Sequence, residues 1–122
     1  MDYFTEKEKQ CPCCGLNLVD RNHDFLRALN TARDLYGRPM DATSMTRCEQ
    51  HNAEIGGAPR SAHLEGRAAD IQCANPEDRI NMVKCLIASG FRRIEISGVH
   101  VHADMKKGAR DVLLIKTERG IV

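Results

Sequence analysis

Two stretches of this chain have the residue types and spacing of a metal site. The first is Arg60-Ser61-Ala62-His63-Leu64-Glu65-Gly66-Arg67-Ala68-Ala69-Asp70-Ile71, which sets an imidazole and a carboxylate seven positions apart across a glycine and small residues. The second is Val99-His100-Val101-His102-Ala103-Asp104. Imidazole is a borderline ligand and carboxylate a hard one, a mixture that suits Zn²⁺. Successive side chains of an extended strand point to opposite faces, so His100, His102 and Asp104 share one face and Val99, Val101 and Ala103 the other. A solvated outer face would account for one such histidine. Three polar groups in register, with His63 and Asp70 elsewhere to complete a site, favour the metal.

The elements that must carry these residues are legible in part. Asn22 precedes an apolar series, Phe25, Leu26, Leu29, Ala32 and Leu35, at helical spacing, with Gly37 as its stop and Pro39 beyond. His23, at the polar start of that helix, is expected in solvent. Asn75-Pro76-Glu77-Asp78 combines a cap, a first-turn proline and first-turn acids. It opens a second helix whose expected buried stripe is Ile80, Val83, Leu86 and Ile87, ended by Gly90. Residues 40–45 alternate as a strand, residues 47–60 form a long polar loop, and residues 68–74 form a short strand carrying Asp70. Strands are expected at 92–97, 99–105 and 111–117 as antiparallel neighbours, with turns at Ser97-Gly98 and Lys106-Lys107-Gly108. The pattern predicts one α+β domain over residues 1–122, with helices packed on one face of a small, mostly antiparallel sheet. Residues 1–22 form an irregular N-terminal segment, apart from a helical turn where Thr5 and Glu8 make a capping-box pattern.

Composition removes several classes of function. The 122 residues suffice for one aliphatic core, with no Trp, two Tyr and three Phe. Eighteen basic and 17 acidic residues give a net charge of +1, which provides no footprint for nucleic acid or an anionic membrane. No run approaches a membrane span, and Met1 to Lys7 lacks the pattern of a signal peptide, so synthesis as a cytoplasmic protein is expected. Six cysteines do not have the distribution of a secreted scaffold. Cys11-Pro12-Cys13-Cys14 resembles half a structural zinc site that Cys48 or a histidine would complete. A second pair at zinc spacing is missing, and reduced thiols with a packing role are the expectation. Disulfide formation among Cys11, Cys13, Cys14 and Cys48 stays open. Cys73 and Cys85 lie in apolar segments, where buried thiols are common.

Ser61-x-His63-x-x-Gly66-x-Ala68-x-Asp70-Ile71, followed by a His-x-Asp strand, resembles the zinc D-Ala-D-Ala carboxypeptidase and murein endopeptidase family. That family includes phage endolysin peptidases and shares its fold with the hedgehog signalling domain. The resemblance runs from about Phe4 to about Thr117. It takes in Arg47-Cys48, the Asn52-x-x-x-Gly56-Gly57 loop and Gly90-Phe91-x-Arg93-Ile94. It implies His63, Asp70 and His102 as zinc ligands, with a fourth position open for water, and Arg47 as the holder of a substrate carboxylate or acyl oxygen. Ser61 would bond a ligand or the substrate, and Gly66 would allow close backbone approach. Asp104 would orient a ligand.

The general base departs from the family pattern. Many relatives carry an acid or His three residues before the last ligand, where this chain has Val99. Glu95 then becomes the base, with a bulge near Gly98 turning it toward the metal, and His100 the stabiliser of the oxyanion. The resemblance thus implies a zinc peptidase cleaving an amide bond of peptidoglycan stem peptides, expected as a monomer and acting on the cell wall after release, in the manner of a phage lysis product. Two other readings stand beside it: a zinc-binding structural or interaction domain without hydrolytic activity, motivated by Val99, and a cytoplasmic L,D-type or small-dipeptide hydrolase.

Overall fold

A computed structural model describes residues 2–117 and 120–121. The helices are α1 (Glu6–Lys9), α2 (His23–Tyr36), α3 (Glu49–Glu54) and α4 (Pro76–Ala88). The strands are β1 (Asp41–Ser44), β2 (Ala68–Gln72), β3 (Arg93–Ser97), β4 (His100–Asp104), β5 (Val112–Thr117) and β6 (Gly120–Ile121). They form one sheet in the order β1-β2-β4-β3-β5-β6. All neighbours are antiparallel except β3 and β5.

Local chemistry sets the helix ends. Thr5 and Glu8 form a reciprocal capping box at α1. Gly37 closes α2 at φ 73, and the Asn75 side chain accepts from the amides of Glu77 and Asp78 at the start of α4. Asn22 begins α2 without a side-chain cap bond. Its amide instead donates to the carbonyls of Leu18, Glu65 and Gly66, tying the helix start to the segment that bears His63.

Helices α2 and α4 cover one face of the sheet. Phe25, Ala28, Leu29 and Ala32 of α2 and Met82 and Leu86 of α4 pack with Phe91 on Ala42, Ala69, Ile71, Ile94, Val101 and Ala103 from four strands. Phe25 and Phe91 meet edge to face at 5.9 Å. Because strand side chains alternate, burying Ala69, Ile71, Val101 and Ala103 turns Asp70, His102 and Asp104 to the opposite face. The core therefore orients the site.

Four expectations need correction. Ile80 and Ile87 are exposed, as is Leu35; the buried stripe of α4 is Met82 and Leu86, with Val83 half-buried. The loop at 47–60 contains α3, capped by the Cys48 sulfur, which accepts from the His51 amide. Strand β5 is parallel to β3 and not an antiparallel partner of β4. The edge of β4 away from β3 is already occupied by β2, so a strand returning from β4 must cross to the free edge of β3. Finally, β3 and β4 pair from Arg93↔Asp104 to Ser97↔His100 without a bulge. The irregularity lies in β1, where Ala42 and Ser44 sit opposite the consecutive residues Ile71 and Asp70.

Candidate metal centre

Each metal-binding candidate is held by a different piece of local structure. Ser61 caps the short 3₁₀ turn Ala62–Glu65 by accepting from the His63 amide at 3.2 Å. Gly66 closes the turn at φ 71, and a Cβ there would lie 2.4 Å from Leu18 Cβ. This close approach is what places His63 over the sheet. Asp70 and His102 are directly opposed on β2 and β4, and Glu95 of β3 is opposite His102 on its other side. The two-residue turn Gly98-Val99, with Gly98 at φ 56, sets that register. Val99 is exposed at the turn tip.

His63, Asp70 and His102 converge, with one ligand atom from each lying within 4.8 Å of the others. His63 is 2% exposed, and its Nδ1 lies 2.6 Å from the Met45 carbonyl. A carbonyl only accepts, so Nδ1 carries a proton and Nε2 is turned inward toward Asp70. Nε2 is buried without a hydrogen-bond partner, 3.3 Å from Asp70 Oδ2. Two acceptor atoms at that distance repel unless a cation or proton lies between them. His102 has the complementary arrangement. Its Nε2 faces Asp104 Oδ2 at 2.7 Å, and its Nδ1 faces Asp70 Oδ1 at 2.8 Å. Asp104 is itself fixed by Arg93 Nε at 2.7 Å and by the Lys106 amide at 3.0 Å. A histidine whose outer nitrogen is held by a carboxylate is the usual support of a metal ligand.

The electrostatics are those of a site built for positive charge. Burial alone would raise the Asp70 carboxyl, but His102 and His63 beside it outweigh burial and hold it far below the usual carboxylate range. Burial likewise opposes charge on His102, yet Asp104 and Asp70 push its pKa up to about 9. Asp104 is held low, against its burial, by His102, the Lys106 amide and Arg93.

These residues floor a cleft of about 450 Å³ lined also by Arg47, Arg60, Ser61, Arg93, Glu95, His100 and Lys106. All the site residues expected from the sequence reach it. Arg47 does so while donating to Asp70 Oδ2 at 3.2 Å, Asn52 Oδ1 at 3.3 Å and Ser44 Oγ at 3.3 Å. Glu95 shares the face of His102 directly, with no bulge to turn it. Residues not anticipated are Met45, whose carbonyl sets the His63 ring, Arg93, which anchors Asp104, and Asn52, which holds Arg47. Arg93 was accessible to sequence reasoning: a two-residue turn at Gly98-Val99 puts it opposite Asp104. Met45 gave no signal, because its role is played by the backbone.

The fold is a small α+β domain whose open cluster of His63, Asp70 and His102 could hold a metal ion. The chain belongs to the Peptidase M15 family, whose profile matches residues 3–105. The match spans the site residues from Arg47 to Asp104 and ends before Lys106 and β5. Family members are zinc-dependent metallopeptidases, and their substrates derive from peptidoglycan. No curated protein sequence is matched by the chain. Among the described residues, no helix is long and apolar enough to cross a membrane.

Proposed function

We propose that the chain hydrolyses an amide bond in peptidoglycan stem peptides, with zinc held by His63 Nε2, Asp70 and His102 Nδ1. The observation carrying this reading is the buried, unpartnered His63 Nε2 aimed at a carboxylate oxygen. Three protein ligands with an open approach are the arrangement of a catalytic zinc rather than a structural one. Zinc bound there supplies Lewis-acid activation of a water and polarisation of the scissile carbonyl.

The chain's own residues supply the rest. Glu95, beside His102 on the cleft face, accepts the proton of the attacking water and returns it to the leaving amine. His100, on the same face of β4, donates to the developing oxyanion. Arg47 and Ser61 bind the peptide, with Arg47 pairing its carboxylate or acyl oxygen through a planar fork. Arg60, Arg93 and Lys106 at the cleft wall add positive charge suited to a peptide with a free carboxylate. Action on the cell wall after release, as for a phage lysis peptidase, belongs to the same reading and rests on the resemblance.

The test is metal dependence on the natural polymer. Purified protein is stripped with chelator, reloaded with zinc and incubated with isolated muropeptides, and the products are weighed by mass spectrometry. We expect hydrolysis that disappears on stripping and returns with zinc, and the product masses assign carboxypeptidase or endopeptidase action. Full zinc occupancy without turnover would support the zinc-binding domain lacking hydrolytic activity.

A further inference from the structure

The cysteines set aside as packing thiols form a second cluster. Cys11, Cys13 and Cys14 lie in one turn, closed by the Gly15 amide on the Cys11 carbonyl at 2.8 Å and by the Cys11 amide on the Leu16 carbonyl at 2.7 Å. Gly15 adopts φ 76, which lets the chain reverse there. Cys48, far along the sequence at the start of α3, comes to the same point. The sulfurs of Cys13 and Cys48 are 3.2 Å apart, those of Cys11 and Cys13 3.6 Å, and those of Cys11 and Cys48 3.7 Å. Cys14 joins them, all four sulfurs lying within 4.8 Å of one another.

Distance decides between the chemistries open to four thiols. A disulfide needs its sulfurs about 2.05 Å apart. A tetrahedral zinc with Zn–S bonds of about 2.3 Å sets its sulfurs roughly 3.8 Å apart. The observed separations match the second, and all four cysteines are free. Backbone donors already face this cluster: the Cys48 amide donates to Cys11 Sγ and the His51 amide to Cys48 Sγ, each at 3.4 Å. Amide donors favour thiolate over thiol. The turn is also poorly anchored otherwise, since Pro12, Cys13, Cys14, Gly15 and Leu16 are all exposed. Without a cation, the contacts among these thiols would be weak.

We propose that Cys11, Cys13, Cys14 and Cys48 bind a second zinc ion in a closed, structural site. Each thiol gives its proton to solvent on binding, and four thiolates leave no position for water or substrate. The site staples the N-terminal segment to the junction where β1 leads into α3. That junction carries Arg47, which precedes Cys48, and the Arg47 amide donates to the His63 carbonyl at 3.1 Å. The ion thus fixes Arg47 from behind while taking no part in catalysis.

The test is metal content and metal spectroscopy on the full chain, purified with reductant and without chelator. We expect about two equivalents of zinc per chain in the wild type. His63→Ala and the double variant Cys13→Ser/Cys14→Ser, whose side chains are exposed, should each retain about one equivalent, by the same coordination argument. After exchange with cobalt, wild type and His63→Ala should show thiolate-to-metal charge transfer in the near ultraviolet, and the double variant should lack it. Wild-type protein with no thiolate charge transfer, or an intact mass that reveals disulfides among these four cysteines in zinc-loaded protein, would overturn the proposal. Wild-type protein that binds only the cysteine-dependent equivalent, with His63→Ala binding no less, would count against the peptidase reading and leave the cysteine site standing.

Discussion

His63 donates through Nδ1 to the Met45 carbonyl at 2.6 Å and thereby points an unpartnered Nε2 at Asp70. With a carboxylate oxygen 3.3 Å away, that nitrogen is satisfied only when a proton or a metal ion lies between the two, and a metal ion there would use both atoms as ligands. His63→Ala should therefore abolish hydrolysis and remove one equivalent of zinc, measured by elemental analysis, while the thiolate site keeps its own.

Asp104 supports the site from behind His102. Replacing it with Ala frees the His102 ring to change orientation and leaves Arg93 without its carboxylate. Zinc affinity should fall by roughly 10–100-fold, as for other carboxylates behind a histidine ligand. Competition with a chromophoric chelator measures the change.

Two glycines act through close contact. A Cβ on Gly66 would lie 2.6 Å from the Leu18 backbone carbon, and the residue sits at φ 71. Overpacking and left-handed backbone together predict a loss of about 2–5 kcal/mol for Gly66→Ala. A Cβ on Gly57 would come 2.1 Å from Asn52 Oδ1, the atom that accepts from Arg47. Gly57→Ala should cost less, about 1–3 kcal/mol, and should raise KM more than it lowers kcat by displacing Arg47. Urea unfolding and steady-state kinetics on a synthetic stem peptide distinguish the two.

Arg67 ties the site-bearing segment to the start of α2. Its guanidinium makes a forked pair with Asp24 at 3.0 and 2.6 Å and also donates to Asn22 and the Met105 carbonyl. That pair holds the Asp24 carboxyl below its ordinary value. A depressed native value stabilises the fold above the unfolded carboxylate range and loses that stabilisation as pH falls through the native value. Asp24 is largely exposed, so screening limits the effect. Asp24→Asn should destabilise by about 1 kcal/mol at neutral pH. The gap from wild type in urea midpoint should close in acid, below about pH 4.

The parts legible in the sequence were those written in local chemistry. Asn75-Pro76, Thr5 with Glu8, and Gly37 fixed helix ends to the residue, and strand alternation sorted His100, His102 and Asp104 onto one face. Non-local competition hid the rest. Strand β5 had to go to β3 because β2 already held β4, a fact absent from the turn residues at 106–108. Helix α3 is too short to show a period, and of the two completions open to the N-terminal cysteines, Cys48 or a histidine, it is Cys48 that β1 brings to them. Ile80 and Ile87 obeyed helical spacing but lie outside the face that α2 and the sheet cover. The Glu95 position needed no bulge: the turn at Gly98-Val99 already sets it opposite His102.

The central claim is that zinc on His63, Asp70 and His102 works with Glu95 to cleave a stem-peptide amide. Turnover of purified muropeptides by zinc-loaded wild type and by Glu95→Gln, with zinc content measured on the same samples, tests it most directly. We predict equal zinc occupancy and a fall in kcat of roughly 10²–10⁴-fold in Glu95→Gln, the range for loss of a general base. Turnover undiminished in Glu95→Gln, or none by fully loaded wild type, would contradict it.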